Sequence, residues 1–351
     1  MRIAIDKYSI DYVDELGDND IIYVFDEYED NDYLLNLGLH CVRYDLMKSV
    51  EVNLTDYNIE CIKKAKITDK DCLDIPPKKD YKFVVIVPNC NNDHGKYKGK
   101  TFFENCIESI LNQTYRDLKL IIVDDMSTDT SVETVERYMK NDDRITLIKN
   151  RRKRYNGGSR NVGIDYALDN FDFDYFLFVD SDDWWKHDKV LETINRELYD
   201  HDMMLLGLEL IDKTGVFMTK FHEYNSYRDF FLSDNKVWCT AWARVIKKEK
   251  IAYFCEDTLM EDRVWSYKQA DNVDFNKVRN LKEVCYVWNR LNTENSVSLS
   301  RSNTWNASAY CHIGHQLIFL ENIKHKEMIP VLEERIKICK DKIAEKVYQQ
   351  Y

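Results

Sequence analysis

The sequence predicts an α/β protein built on a doubly wound sheet, and three observations carry that reading. Short apolar runs alternate with segments of helical period. The turns after the runs are acidic or contain glycine. Only 10 Gly and 4 Pro occur in 351 residues, too few for a linker-rich or low-complexity chain. Phe83-Val84-Val85-Ile86-Val87, stopping at Pro88, is continuously apolar, as a strand covered on both faces must be. Phe103, Cys106, Ile107, Ile110 and Leu111 follow at helical spacing. Leu118-Lys119-Leu120-Ile121-Ile122-Val123 reads as a second strand, closed by Asp124-Asp125. Val132, Val135 and Tyr138 share a helix face, and Ile145-Thr146-Leu147-Ile148 is a third strand. Gly157-Gly158-Ser159-Arg160 leads into a further helix, and Tyr175-Phe176-Leu177-Phe178-Val179 is the next buried strand. Ligands of such sheets bind outside the carboxyl ends of the strands. Asn89, Asp125, residues 157–160 and residues 180–183 therefore belong to one rim.

Composition narrows the function. Hydrophobic residues are 44% and aromatics 13% of the chain, enough for a large core. No stretch approaches a membrane span, and the first residues lack a signal-peptide apolar region. A cytoplasmic protein, at most peripheral at the inner membrane face, is expected. The 10 Cys form no CxxC pair, which predicts reduced thiols rather than disulfides or zinc. His312-x-x-His315 has helical ligand spacing, but a structural role is expected. Residues 1–80 hold 19 acidic against 10 basic residues, so −9 of the net −12 lies there. Such a module does not suit nucleic acid or an anionic membrane. Residues 149–154 (Lys-Asn-Arg-Arg-Lys-Arg) are the one dense basic run, placed just before the Gly-Gly turn. Nucleotide-binding P-loop and GxGxxG patterns are missing, which argues against kinases, ATPases and dehydrogenases.

The strongest chemical signal is Asp180-Ser181-Asp182-Asp183, three carboxylates emerging together at a strand end. They repel one another unless a cation or solvent compensates them. Oxygen-only ligands there suit Mg²⁺ or Mn²⁺, shared with a phosphate-bearing substrate.

With its neighbours, this segment resembles the inverting family 2 glycosyltransferases. Val87-Pro88-Asn89-Cys90-Asn91 is similar to that family's P-T-Y-N turn, with Asn and Cys replacing Thr and Tyr. Cys106-Ile107-Glu108-Ser109-Ile110-Leu111-Asn112-Gln113-Thr114-Tyr115 resembles C-x-x-S-I-L-x-Q-T-Y. Val123-Asp124-Asp125-Met126-Ser127-Thr128-Asp129 resembles V-D-D-G-S-T-D, with Met at the usual Gly. Asn156-Gly157-Gly158-Ser159-Arg160-Asn161-Val162-Gly163 is a shortened N-G-G-x-x-x-A-R-N-x-G. Downstream, Trp242-Ala243-Arg244 resembles W-x-K, Glu261-Asp262 the E-D pair, and Tyr286-Val287-Trp288-Asn289-Arg290 with Asn295-Ser296-Val297-Ser298 the closing element. The processive QxxRW signature is absent, so single additions are expected.

The resemblance implies a GT-A (Rossmann-like) doubly wound mixed sheet over residues 78–300. A small acidic α/β or β module (1–77) precedes it and a helical extension (301–351) follows. It implies a nucleotide-sugar donor, most simply a UDP-sugar, held by Pro88, Asn89, Asp125, Gly158, Arg160, Asp180 and Ser181. Asp125 would read the base, Asp180 the ribose, and Arg160 would lend charge near the diphosphate. Asp182, Asp180 and Asp183 would hold a divalent metal, Mn²⁺ or Mg²⁺. Asp262 would be the catalytic base, supported by Glu261, with Glu256-Asp257 as a rival pair. The acceptor would be a carbohydrate hydroxyl, by family frequency a cell-surface glycan. The long loop from Asn89 to Thr101, with Gly95, Gly99 and three lysines, is a candidate lid. Trp184, Trp185, Trp238, Trp242 and Trp265 are candidates for sugar stacking or for packing. Two rival readings stay open: a phage-type enzyme glycosylating modified DNA bases through residues 149–154, and a degenerate domain that only binds carbohydrate or a partner. Nothing in the residues speaks to oligomeric state.

Overall fold

The computed structural model describes residues 2–5, 21–24, 42–43, 79–152, 155–198, 200–220, 240–258, 261–291, 304–326 and 329–348. They fall into two compact units, residues 1–80 with 193–199, and the remainder. In the first unit β1 (Arg2–Ile5), β2 (Ile21–Val24) and β3 (Val42–Arg43) pair in parallel in that order. The apolar run Leu34-Leu35-Asn36-Leu37 lies outside the described residues.

The second unit is organised by a nine-stranded mixed sheet. Its first half is the predicted parallel one. β4 (Phe83–Asn89) is buried along its whole length and pairs in parallel with β7 (Leu118–Asp124) on one side and β9 (Tyr175–Phe178) on the other. β8 (Ile145–Lys149) extends β7 in parallel. Between β4 and β7 lie a two-strand hairpin, β5 (Lys96–Tyr97) and β6 (Lys100–Thr101), and helix α1 (Phe102–Leu111). Thr101 caps α1 in a reciprocal box: its hydroxyl accepts from the Glu104 N–H and the Glu104 carboxylate accepts from the Thr101 N–H. The Gln113 of the C-x-x-S-I-L-x-Q stretch is fully buried, donating to Ser109 and His187 carbonyls and accepting from the Leu191 N–H. α2 (Ser131–Met139) and α3 (Asn156–Asn170) complete the crossovers. α3 packs tightly on β4, since a Cβ at Gly163 would meet Ile86 Cγ2 at 2.6 Å.

The other half departs from the sequence reading. Residues 200–250 carry little pattern, yet β11 (Met203–Asp212) is one of the most buried strands and pairs with three others. β12 (Gly215–Lys220) folds back on it antiparallel. β13 (Arg244–Lys247) runs antiparallel between β11 and β9. β14 (Val278–Asn289) runs parallel to β11, and β10 (Trp184–Trp185) closes that edge antiparallel. β4, β7, β8, β9, β11 and β14 consequently point the same way, and their carboxyl ends share one rim. Among the described residues, α4 (Val190–Glu197), α5 (Glu261–Asn272), α6 (Thr304–Asn322) and α7 (Ile329–Tyr348) are the remaining α-helices. Among the described residues no helix is long and apolar enough to cross a membrane.

The 89–101 loop is folded down rather than open. Asp93 accepts from the hydroxyls of Thr101, Thr130 and Thr134, and Tyr97 stacks on Trp184 at 4.9 Å. Trp242 stacks on Tyr286, and Trp265 on Phe254. Trp238 lies outside the described residues.

Met126, at the position where the V-D-D-G-S-T-D pattern has glycine, has φ 61° and is 59% exposed. That backbone costs a non-glycine residue about 1 kcal/mol, while glycine adds about the same unfolded-state entropy. Met126→Gly is expected to change stability by less than about 0.5 kcal/mol, and Met126→Val to destabilise by more than about 1 kcal/mol, in urea denaturation.

Candidate active site

Arg160 lies at the centre of the rim, in the second turn of α3, with no exposed surface. Its Nη1 donates to Glu261 Oε1 (2.8 Å) and Asp262 Oδ1 (3.0 Å), and its Nη2 to Asp180 Oδ1 (2.7 Å). The E-D pair and the first aspartate of the D-x-D segment thus share one guanidinium across 102 and 20 residues of chain. Burial alone would lower the Arg160 pKa, but Asp262, Asp180 and Glu261 together raise it, so the group stays charged. Glu261 and Asp262 stand in the first turn of α5, where the helix dipole favours anions. The α5 start reaches α3 because of Gly157: a Cβ there would lie 2.2 Å from the Cys255 carbonyl oxygen and 3.3 Å from Glu261 Cβ.

Desolvation sets the protonation of this cluster. It raises Glu261, against the pull of Arg160. It pushes Asp262 up to about 8, with Arg160 opposing and the charges of Glu261 and Asp180 adding to the rise. Arg244 also attracts Asp262; its guanidinium bonds Ser266 Oγ at 2.6 Å and lies over the Trp265 ring. The Asp180 and Asp262 side chains keep 24% and 28% exposure, so both reach the crevice that Arg160 does not.

The D-x-D loop is clamped from β14. Asp183 is buried, with one carboxylate oxygen accepting from the Tyr286 hydroxyl (2.7 Å) and the other from the Asn289 N–H (2.8 Å). Asn289 Nδ2 also holds the Asp182 carbonyl, and the Asp180 N–H donates to the Tyr286 oxygen. Asp183, expected among the metal ligands, therefore points into the protein, because β14 supplies donors that a buried carboxylate needs. Asp182 is half-buried beside it, and Ser181 accepts from Asn92 Nδ2 at 2.6 Å.

On the β4–β7 side Asp125 is buried, and its carboxylate takes Asn150 Nδ2 and the Tyr155 N–H, both at 2.9 Å. It thereby braces Tyr155 at φ 87° and ψ 165°, a conformation normally left to glycine. Asn89, at the end of β4 after Pro88, is 3% exposed and donates to Ser127 Oγ, while its Oδ1 is buried without a partner. Gly158 is buried in the first turn of α3.

The rival acidic pair faces elsewhere. Glu256 binds Arg152 and Asn161, and Asp257 binds His315 of α6. These groups border a cavity of about 450 Å³ with Asp165 and Tyr253. Arg152, from the basic run, is tied to Asp165 as well as Glu256. Arg160 likewise differs from its expected place: it faces carboxylates in the interior rather than an open crevice. Sequence reasoning missed Asn150, Tyr286 and Asn289 as bracing groups. Tyr286 and Asn289 sit inside a quoted segment, but nothing local marks them as partners of Asp183. Tyr286→Phe leaves one Asp183 oxygen without its donor and is expected to destabilise by about 1–3 kcal/mol in chemical denaturation.

Residues 84–254 match the family model described as glycosyl transferase family 2. An uncharacterised glycosyltransferase of Haemophilus influenzae is 33% identical over 32% of this chain and 43% of its own. Glycosyltransferase GlyA of Streptococcus pneumoniae is 34% identical over 35% of this chain and 16% of its own. The poly(ribitol-phosphate) beta-glucosyltransferase of Bacillus spizizenii is 29% identical over 48% of this chain and 27% of its own. The matched regions span less than half the length of each of these relatives. Among solved structures, Staphylococcus aureus TarS 1–349 in complex with UDP-GlcNAc shares the fold, with a TM-score of 0.51 and 21% identity over 67% of this chain and 66% of that one. The ordered motifs, the GT-A sheet and the family match agree: residues 84–254 form a family 2 glycosyltransferase domain.

Proposed function

We propose that this protein transfers one sugar from a nucleotide sugar, a UDP-sugar, to a hydroxyl of a carbohydrate acceptor, with inversion at the anomeric carbon. The observation that carries this reading is the Arg160 cluster, which gathers the E-D pair and the D-x-D segment at the carboxyl end of one sheet. Asp262 is the base: it takes the acceptor proton as that oxygen attacks the anomeric carbon. Glu261, more deeply buried, supports it. The Arg160 arrangement favours Asp262 over Asp257, which is paired with His315. Asn89 Oδ1 and Asp125 are buried acceptors suited to a uracil N–H. A uridine donor is also in keeping with the UDP-GlcNAc bound by the fold neighbour.

A divalent cation suits Asp180 and Asp182. Burial first, then the charges of Asp182 and Asp180, raise Asp183 well above the usual carboxylate range. Asp180 and Asp182 stay partly exposed at the strand end, and their hard oxygens match Mn²⁺ or Mg²⁺. When bound, such an ion offsets the charge gathering on the departing diphosphate. Asp183 instead keeps the loop in place.

The relatives' names favour a cell-surface glycan acceptor, as in the poly(ribitol-phosphate) enzyme. The DNA reading loses support because Arg152 of the basic run is spent on two carboxylates. The binding-module reading is disfavoured by intact E-D and D-x-D segments, with Glu261, Asp262 and Asp180 gathered on Arg160.

Nucleotide release from UDP-, GDP- and TDP-sugars with Mn²⁺ tests the proposal. One UDP-sugar should be turned over, and Asp182→Ala or chelation should abolish this. No UDP-sugar turned over, with UDP failing to bind in calorimetry, would sink the reading. Asp262→Asn should lower kcat by about 100-fold or more. The base must be deprotonated, and burial holds Asp262 near 8. The wild-type rate should therefore rise with pH and level off above about 8, roughly tenfold per unit below it. A rate flat from pH 6 to 9 would exclude Asp262 as the titrating base.

A further inference from the structure

We infer that Arg160 is a positioning residue that locks Asp262 in register with Asp180, and that it makes no contact with the donor. The inference rests on the glycosyltransferase reading of this site. Arg160 comes from α3, Asp180 from the end of β9 and Asp262 from α5, so no local element sets the two carboxylates relative to one another. The guanidinium does. It is planar and rigid, and its two terminal nitrogens stand a fixed distance apart. With Nη1 on Glu261 and Asp262 and Nη2 on Asp180, moving either aspartate breaks a charge-assisted bond.

Three further observations separate this from a phosphate clamp. Arg160 has no exposed surface, whereas a side chain that grips a diphosphate must present its donors to the crevice. The Phe254 ring lies 5.2 Å from the guanidinium carbon and covers one face. Nε is buried without a hydrogen-bond partner, so the carboxylates aim the fork at the expense of its own third donor site. Asp180 and Asp262 are the parts of the cluster that reach solvent. The arrangement couples the group that faces the donor to the group that faces the acceptor. Alignment of this kind is where enzymes gain most from rigidity, and a misplacement of about 1 Å costs about 100-fold in rate.

The test compares wild type, Arg160→Lys and the double variant Arg160→Gln/Glu261→Gln. The double variant removes one charge of each sign, so the net charge of the cluster is kept and folding is protected. Lys keeps the charge but lacks the fork. Kd for UDP with Mn²⁺ is read by calorimetry, and kcat and KM by donor turnover. Both variants should bind UDP within about threefold of wild type while kcat falls about 100-fold. A tenfold or larger rise in Kd, whatever happens to kcat, would make Arg160 a donor ligand and overturn the inference. So would an Arg160→Lys kcat within about threefold of wild type, since charge alone would then suffice. If the wild type releases no nucleotide from any sugar and binds no UDP, the proposed function fails by itself, and the coupling is read from thermal unfolding instead. Arg160→Gln and Asp262→Asn should then be less than additive when combined, and strict additivity would overturn the coupling.

Discussion

One buried cation, Arg160, organises the rim of the large sheet. Arg160 is withdrawn from water among three carboxylates, and a charge so placed persists only when partners replace its hydration. Removing one partner from such a set typically costs about 3–5 kcal/mol, so the strand end, α3 and α5 are held to one geometry. The glycine that lets α5 approach α3 serves the same end, because a single methyl at Gly157 would push the Cys255 carbonyl away. The N-terminus of α5 carries Glu261 and Asp262 in its first turn, at its positive end.

A second constraint acts from the far side of the sheet. The D-x-D loop leaves β9, but what holds it is the end of β14, through Tyr286 and Asn289. This requires β14 to run in the same direction as β9, with β11 and the reversed β13 between them. The mixed half of the sheet thus brings bracing donors to the loop that the parallel half produces. Asp183 is the joint between the two halves. Its burial would be unfavourable without two donors, and both come from β14.

Much of the parallel half is legible in the sequence because its signals are local. A run such as Phe83 to Val87 is apolar at every position only when both faces are covered, and the Asp or Gly after each strand marks the rim. The hidden strand is β11. Met203-Met204-Leu205-Leu206-Gly207-Leu208 is as apolar as β4 but poor in β-branched residues, so it does not stand out from a buried helix segment. The basic run is legible as charge but not as purpose, since Arg152 is neutralised by Asp165 and by Glu256, 104 residues away.

By itself the sequence determined the order of strands and helices in the parallel half, the family resemblance, and which residue types stand at the strand ends. These follow from periodicity and short motifs, which depend on neighbours a few residues apart. Only the tertiary structure decided which carboxylates share a cation, which one turns inward, and which keep access to the crevice. Asp180, Asp182 and Asp183 are indistinguishable as letters. Their roles separate when Arg160 takes one, Asn289 holds the backbone of the second, and Tyr286 with Asn289 buries the third. The physical reason is that a carboxylate's function is set by its hydration and its partners, and those partners come from 20 to 106 residues away in the chain.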